Sequence, residues 1–358
     1  MKNIVILATG GTIAGAGEQG KDIGYKSGSI KAQTLIDAIP ELKNVANICV
    51  EQFCNINSDD ITSELWIALA KRIQELLQRE DVDGIVMMHG TDTMEETAFF
   101  LSLTLGGSAS KVAGKSEDCS SVVEKAAKPV IMTGSMRPAT AAEPDGPANL
   151  LFAVKTAVSC SPHELSCPPL SGHLPLVNAE YTVGVYVAFA DKVMNARSVQ
   201  KIHANDLDAF AELSCPPHEL SCPPPSGLHH LVTAKKSFDI SNLRELPRVS
   251  VLYFNADADA ELVRFAAERS AGLVIAGAGA GEFSRAWADA IADVISKNKI
   301  PVVISTRINR GRIVPEQLLV PGTIAAYDLP PAKAAVLLRL ALTTTNDPAT
   351  IQEMFSSQ

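Results

Sequence analysis

The chain has 358 residues, with 31 Lys and Arg against 40 Asp and Glu, for a net charge of −9. That carboxylate excess argues against a nucleic-acid partner, whose affinity comes largely from cationic side chains. A hydrophobic fraction of 46% and a charged fraction of 20% are those of a globular protein, and no apolar run approaches the roughly 18 residues that span a bilayer. The length exceeds one ordinary core and predicts two domains. Lys2 is followed by a few apolar residues and a glycine turn, which is not a signal-peptide pattern. The expected compartment is cytoplasmic, or periplasmic or secreted if a leader has been removed. Seven cysteines, an odd count in so large a protein, do not read as a disulfide framework.

Ile4 to Leu7 is a short apolar run closed by Thr9-Gly10-Gly11-Thr12, a buried parallel strand opening into a tight turn. Thr12 is thereby placed at the carboxyl end of a strand, the edge where open α/β sheets bind ligands. Residues 16 to 30, rich in Gly, Lys, Ser and Asp and carrying Tyr25, read as a mobile flap. A strand over Ile48 to Phe53 leads to the polar loop Asn55 to Asp60, and Leu65, Trp66, Leu69, Ile73, Leu76 and Leu77 recur at helical spacing. The strand Ile85 to Met88 ends in His89-Gly90-Thr91-Asp92-Thr93, where Thr93 and Glu96 form a capping-box pattern. After a loose excursion over residues 106 to 128, the strand Val130 to Met132 ends in Thr133-Gly134-Ser135. Strand, polar turn and helix in repetition predict a parallel doubly wound sheet.

The middle of the chain carries a duplication. Residues 159–172 and 214–227 agree at twelve of fourteen positions, and their prolines exclude helix interiors and central strands, so both copies read as loops. From Val249 the alternation resumes, with strands at Val249 to Phe254, Leu273 to Ala276 and Pro301 to Ser305. Helices are read near Ala260 to Ser270 and Ser284 to Ser296, and at the terminus from Ala332. The organisation expected is therefore α/β with two doubly wound domains. A larger N-terminal parallel-sheet domain spans 1–208, a linker 209–248, and a smaller C-terminal α/β domain 249–358. Gly277-Ala278-Gly279-Ala280-Gly281 reads as a turn, since no acidic residue is placed for dinucleotide binding.

A threonine hydroxyl becomes a nucleophile only with a proton acceptor, oxyanion donors and an orienting pocket. Gly11, Thr12, Ser58, Gly90, Thr91 and Asp92 all fall on turns predicted at one edge of one sheet. Asp92 suits a substrate amino group, Ser58 and Thr91 suit a carboxylate or a water, and the glycine turns offer backbone N–H groups to an oxyanion. From the residues alone this reaches a small-ligand α/β enzyme.

Thr9 to Gly15, Asn55-Ile56-Asn57-Ser58, Asp83 to Thr97, Gly134-Ser135-Met136-Arg137-Pro138, Asp145 to Leu150 and Leu329 to Phe355 together resemble the bacterial-type L-asparaginases, and Met94-Glu95-Glu96-Thr97 favours type II. The resemblance implies an amidohydrolase that cleaves L-asparagine, and L-glutamine less well, through threonine attack and an acyl-enzyme. It also implies a homotetramer of two-domain subunits with no metal and with active sites shared between paired subunits; no cofactor, membrane or nucleic acid is expected. Thr12 matches the nucleophile, Tyr25 its hydroxyl partner, and Thr91 with Asp92 the second catalytic pair. Ser58 matches the α-carboxylate contact, and Asp59 stands where the family often has Gln or Glu. The neighbouring subunit's Asn and Glu are matched near Asp257 and at Glu316.

Two expectations concern the duplicated segment. Counting from Asn149 along the resemblance places the family's catalytic lysine at Cys160, a neutral thiol that cannot ease deprotonation of a hydroxyl as an ammonium does. That reading leaves two possibilities: an impaired asparaginase, or a catalytically silent relative that binds Asn or Asp or serves in assembly. Cys160, His163, Cys167, Cys215, His218 and Cys222 would also supply a zinc site if the two loops met, against a bland reading of a Pro-rich insertion without a ligand.

Overall fold

A computed structural model describes residues 1–21, 24, 26–105, 128–160, 184–213 and 237–358. Tyr25, the excursion at 106–127 and all of both repeats beyond Ser159 and Cys160 lie outside the described residues. The chain forms two compact units, Met1–Glu212 and Leu213–Gln358.

The first unit runs β1 (Asn3–Gly10), α1 (Ala32–Asp37), α2 (Leu42–Val45), β2 (Asn47–Ile56), α3 (Ser63–Gln78), β3 (Gly84–Met88), α4 (Met94–Thr104), β4 (Val130–Thr133) and α5 (Gly146–Ser159). Short strands β5 (Val185–Phe189), β6 (Lys192–Asn195), β7 (Val199–Lys201) and β8 (Phe210–Glu212) follow. Six strands form one sheet in the order β2-β1-β3-β4-β5-β6. All its pairings are parallel except β5 with β6. Alternation across the pleat sends Ile4, Ile6 and Ala8 of β1, with Val86 and Met88 of β3, into a core shared with Leu150, Ala153, Val154 and Ala157 of α5. The intervening Val5, Leu7, Ile85 and Met87 are equally buried. A strand buried on both faces has to be a continuous apolar run, which is why Ile4 to Leu7 is one.

In the second unit, β9 (Val249–Tyr253), α6 (Glu261–Ala267), β10 (Gly272–Gly277), α7 (Arg285–Asn298), β11 (Val302–Thr306) and β12 (Ile324–Ala325) precede α8 (Pro331–Ala341) and α9 (Pro348–Ser356). The four strands among its described residues, in the order β12-β11-β10-β9, are all parallel. Trp287 of α7 anchors this core, meeting Phe254 edge to face and donating Nε1–H to Ala258 O at 2.9 Å. The glycine run is a turn, with Ala278 paired to Glu282 and positive φ at Gly279 and Gly281. Among the described residues no helix is long and apolar enough to cross a membrane.

Candidate active site

The strand order places the site. Successive crossovers leave β1 toward β2 on one side and toward β3 on the other, so the sheet opens a crevice beyond the carboxyl ends of β1 and β3. The turn after β1 carries Gly11 and Thr12, and the turn after β3 carries His89 to Asp92.

Glycine is required where these turns meet. Gly11 has φ +82°, and a Cβ on it would lie 2.6 Å from Gly90 Cα. A Cβ on Gly90 would lie 2.6 Å from Ser58 Oγ. The three loops that carry Thr12, Thr91 and Ser58 are therefore in direct contact, as the sequence leads one to expect. Gly11 N–H donates to Ile56 O at 3.0 Å, tying the first turn to the end of β2. Thr12 opens a short 3-10 turn, Thr12–Ala14, and is half-buried. The root of the flap is fastened here too: Gly28 N–H donates to Gly11 O, Ala16 and Lys26 form an antiparallel bridge, and Gly17 N–H donates to Thr140 Oγ1 at 3.0 Å.

Thr93 departs from the capping-box expectation. Its hydroxyl does not cap α4 but donates to Ser58 O at 2.8 Å, joining the second turn to the third. Ser58 is buried and Asp59 exposed on the 3-10 turn Ser58–Asp60. Beneath the second turn lies a buried polar chain. Trp66 Nε1–H donates to Thr97 Oγ1 at 2.9 Å, Thr97 Oγ1 meets His89 Nε2 at 3.1 Å, and His89 Nδ1 meets Gly90 O at 2.7 Å. A carbonyl only accepts, so Nδ1 carries the proton and Nε2 accepts from Thr97. Burial pushes the imidazole down to about 4, against a small opposing effect of the Gly90 carbonyl. His89 is thus a neutral strut that fixes the Gly90 carbonyl.

The second turn is met by a residue that sequence reasoning misses. Lys201 Nζ, at the end of β7, donates to Thr91 Oγ1 at 2.9 Å and to Asp92 Oδ1 at 2.6 Å. The Lys201 side chain is only 15% exposed, whereas that of Asp92 is 68% exposed, so the pair orients the ammonium more than it stabilises the fold. An ammonium at this distance favours the alkoxide of Thr91 and makes its hydroxyl a better proton donor.

The assignment of the lysine position to Cys160 is therefore corrected. α5 begins beside Ser135 and Ile13, near the crevice, and its 14 residues carry the chain about 21 Å back along the sheet. Cys160 caps its far end, 2% exposed in the apolar core, and its carbonyl accepts from Lys2 Nζ at 2.8 Å, next to the start of β1. Burial raises its thiol to about 11. Of the proposed zinc ligands only Cys160 is among the described residues. The signal for Lys201 lay in the apolar run Val185 to Phe189, which announces a strand whose continuation reaches Lys201 through one hairpin, β5–β6, and a short turn. Asp257, with φ +60°, and Glu316 are both in the second unit.

A two-unit α/β enzyme with a threonine–lysine–aspartate cluster at the switch point of its larger sheet is the class that fold and site define. Residues 3–113, 119–166 and 175–221 match the family described as Asparaginase, N-terminal, and residues 248–355 match the Glutaminase/Asparaginase C-terminal domain. The chain belongs to the asparaginase family. L-asparaginase 2 of Bacillus subtilis (strain 168) is 38% identical over 99% of this chain and 86% of its own length. The glutaminase-asparaginase of Pseudomonas fluorescens biotype A is 33% identical over 99% of this chain and 90% of its own. The solved structure of a probable cytoplasmic L-asparaginase from Campylobacter jejuni superposes with a TM-score of 0.79 at 36% identity, covering all of both chains.

Proposed function

We propose that this protein is an amidohydrolase that converts L-asparagine and water to L-aspartate and ammonia, with L-glutamine as a poorer substrate. The observation that carries the reading is Lys201 Nζ at 2.9 Å from Thr91 Oγ1, on a turn that abuts the turn of Thr12. Thr12 Oγ attacks the side-chain amide carbon, and its proton passes to an acceptor in the site. The oxyanion faces backbone N–H groups of the glycine turns. Collapse breaks the C–N bond, the nitrogen takes up a proton and leaves as ammonia, and water then cleaves the ester to free Thr12. Thr91, polarised by Lys201 and steadied by Asp92, serves the proton transfers. Asp92 and Asp59 receive the substrate amino group, Ser58 its α-carboxylate, and Gly11 and Gly90 offer backbone contacts. Tyr25 on the flap is the hydroxyl partner of Thr12.

Lys201 Nζ beside Thr91 Oγ1 supports an active enzyme over a silent relative. Family membership supports a homotetramer whose sites are completed near Asp257 and Glu316 of a neighbouring copy. A cytoplasmic location accords with the similarity to the probable cytoplasmic L-asparaginase of Campylobacter jejuni. Ammonia release from L-asparagine tests the function: the wild-type chain turns over, Thr12→Ala falls at least about a thousandfold as expected for loss of a nucleophile, and equal rates for the two overturn the reading.

A further inference from the structure

Lys201 stands on a weak support. β7 has three residues and, among the described residues, pairs only with β8, in a two-stranded ribbon separate from the main sheet. Such ribbons are marginal by themselves, and a four-carbon stem transmits any drift of the backbone to the ammonium. Alternate N–H groups of an antiparallel ribbon point away from the partner strand. Ile202 N–H points inward, to Ala209 O at 2.8 Å. Lys201 N–H points outward and donates to Glu95 Oε2 at 2.5 Å. Glu95 is half-buried in the first turn of α4, three residues beyond Asp92. One short piece of chain therefore carries both partners of the ammonium, Thr91 and Asp92, and also the carboxylate that holds the lysine's own backbone.

We infer that Glu95 is a positioning residue of this site: it clamps the main chain of Lys201 to the start of α4 and so sets the reach of Nζ to Thr91. A carboxylate accepting an N–H is among the stronger hydrogen bonds, and the clamp acts through the backbone, so an amide oxygen can replace it. The inference rests on the function proposed above.

The test compares steady-state ammonia release by Glu95→Ala, Glu95→Gln, Lys201→Ala and the double variant Glu95→Ala/Lys201→Ala. Glu95→Ala should lower kcat about ten- to a hundredfold, the scale of a misplacement near 1 Å, with KM nearly unchanged. Glu95→Gln should recover most of the rate. In the Lys201→Ala background, Glu95→Ala should add no further loss, because the two act as one unit. A wild-type rate for Glu95→Ala, or a full extra loss in the double variant, would overturn the clamp. If Glu95→Ala does not fold, Glu95→Asp, one methylene short, should show the same kcat loss. If the wild type itself releases no ammonia, the proposed function fails by itself. The crystal structure of the Glu95 variant then decides the clamp: Lys201 Nζ withdrawn from Thr91 supports it, and an unchanged distance refutes it.

Discussion

Lys201 Nζ lies 2.9 Å from Thr91 Oγ1 although 110 residues separate them in sequence. The contact joins the turn after β3, at the heart of the parallel sheet, to a short ribbon built after the duplicated segment has begun. It sets a positive charge beside the Thr91 hydroxyl, whereas Cys160 lies buried at the far end of α5.

Cys160 is therefore expected to be structural. Cys160→Ala should leave ammonia release nearly unchanged and cost roughly 1 kcal/mol in denaturant unfolding, the low end for small core truncations. Cys160→Lys should not raise the rate. It would place an ammonium among the residues that pack with Ile4, Ile6 and Ala157, at a cost of several kcal/mol, and the thermal midpoint should fall. A rate gain in Cys160→Lys would contradict the placement.

Close approach of three loops predicts intolerance at two glycines. In Gly90→Ala the new methyl would sit 2.6 Å from Ser58 Oγ, and in Gly11→Ala it would meet Gly90 in a backbone with φ +82°. Each should destabilise by about 1–3 kcal/mol and lower kcat on the order of a hundredfold. Thermal melts and the ammonia assay read the two effects separately.

Much of this was legible in the sequence for physical reasons. Buried parallel strands are apolar runs, so Ile4 to Leu7, Ile85 to Met88 and Leu273 to Ala276 declared themselves, and glycines marked the turns that bear Thr12 and Thr91. Lys201 did not declare itself. Its strand has three residues, and the β5–β6 hairpin turns through Ala190 and Asp191 at φ +47° and +57°, without the glycine or asparagine that usually marks such a turn. Counting along one helix from Asn149 then reached Cys160, whereas the lysine arrives on a strand after that helix has ended. Thr93 looked like a cap because its spacing to Glu96 is local; the Ser58 carbonyl that captures its hydroxyl is not.

Acid stability should depend on His89. Unfolded, its imidazole takes a proton near 6.5, whereas burial holds the folded group down to about 4. The stabilising contribution is therefore complete above pH 6.5 and is lost as pH falls toward 4, by roughly 3 kcal/mol at about 1.4 kcal/mol per unit. Urea unfolding at several pH values should show this slope in the wild type and a shallower one in His89→Gln, which has no group to titrate.

The most direct measurement is ammonia release from L-asparagine by the wild type, Lys201→Ala and Cys160→Ala, assayed side by side. Turnover in the wild type and in Cys160→Ala, with a loss of about a hundredfold or more in kcat for Lys201→Ala, is the predicted result. Wild-type turnover in Lys201→Ala would contradict the account.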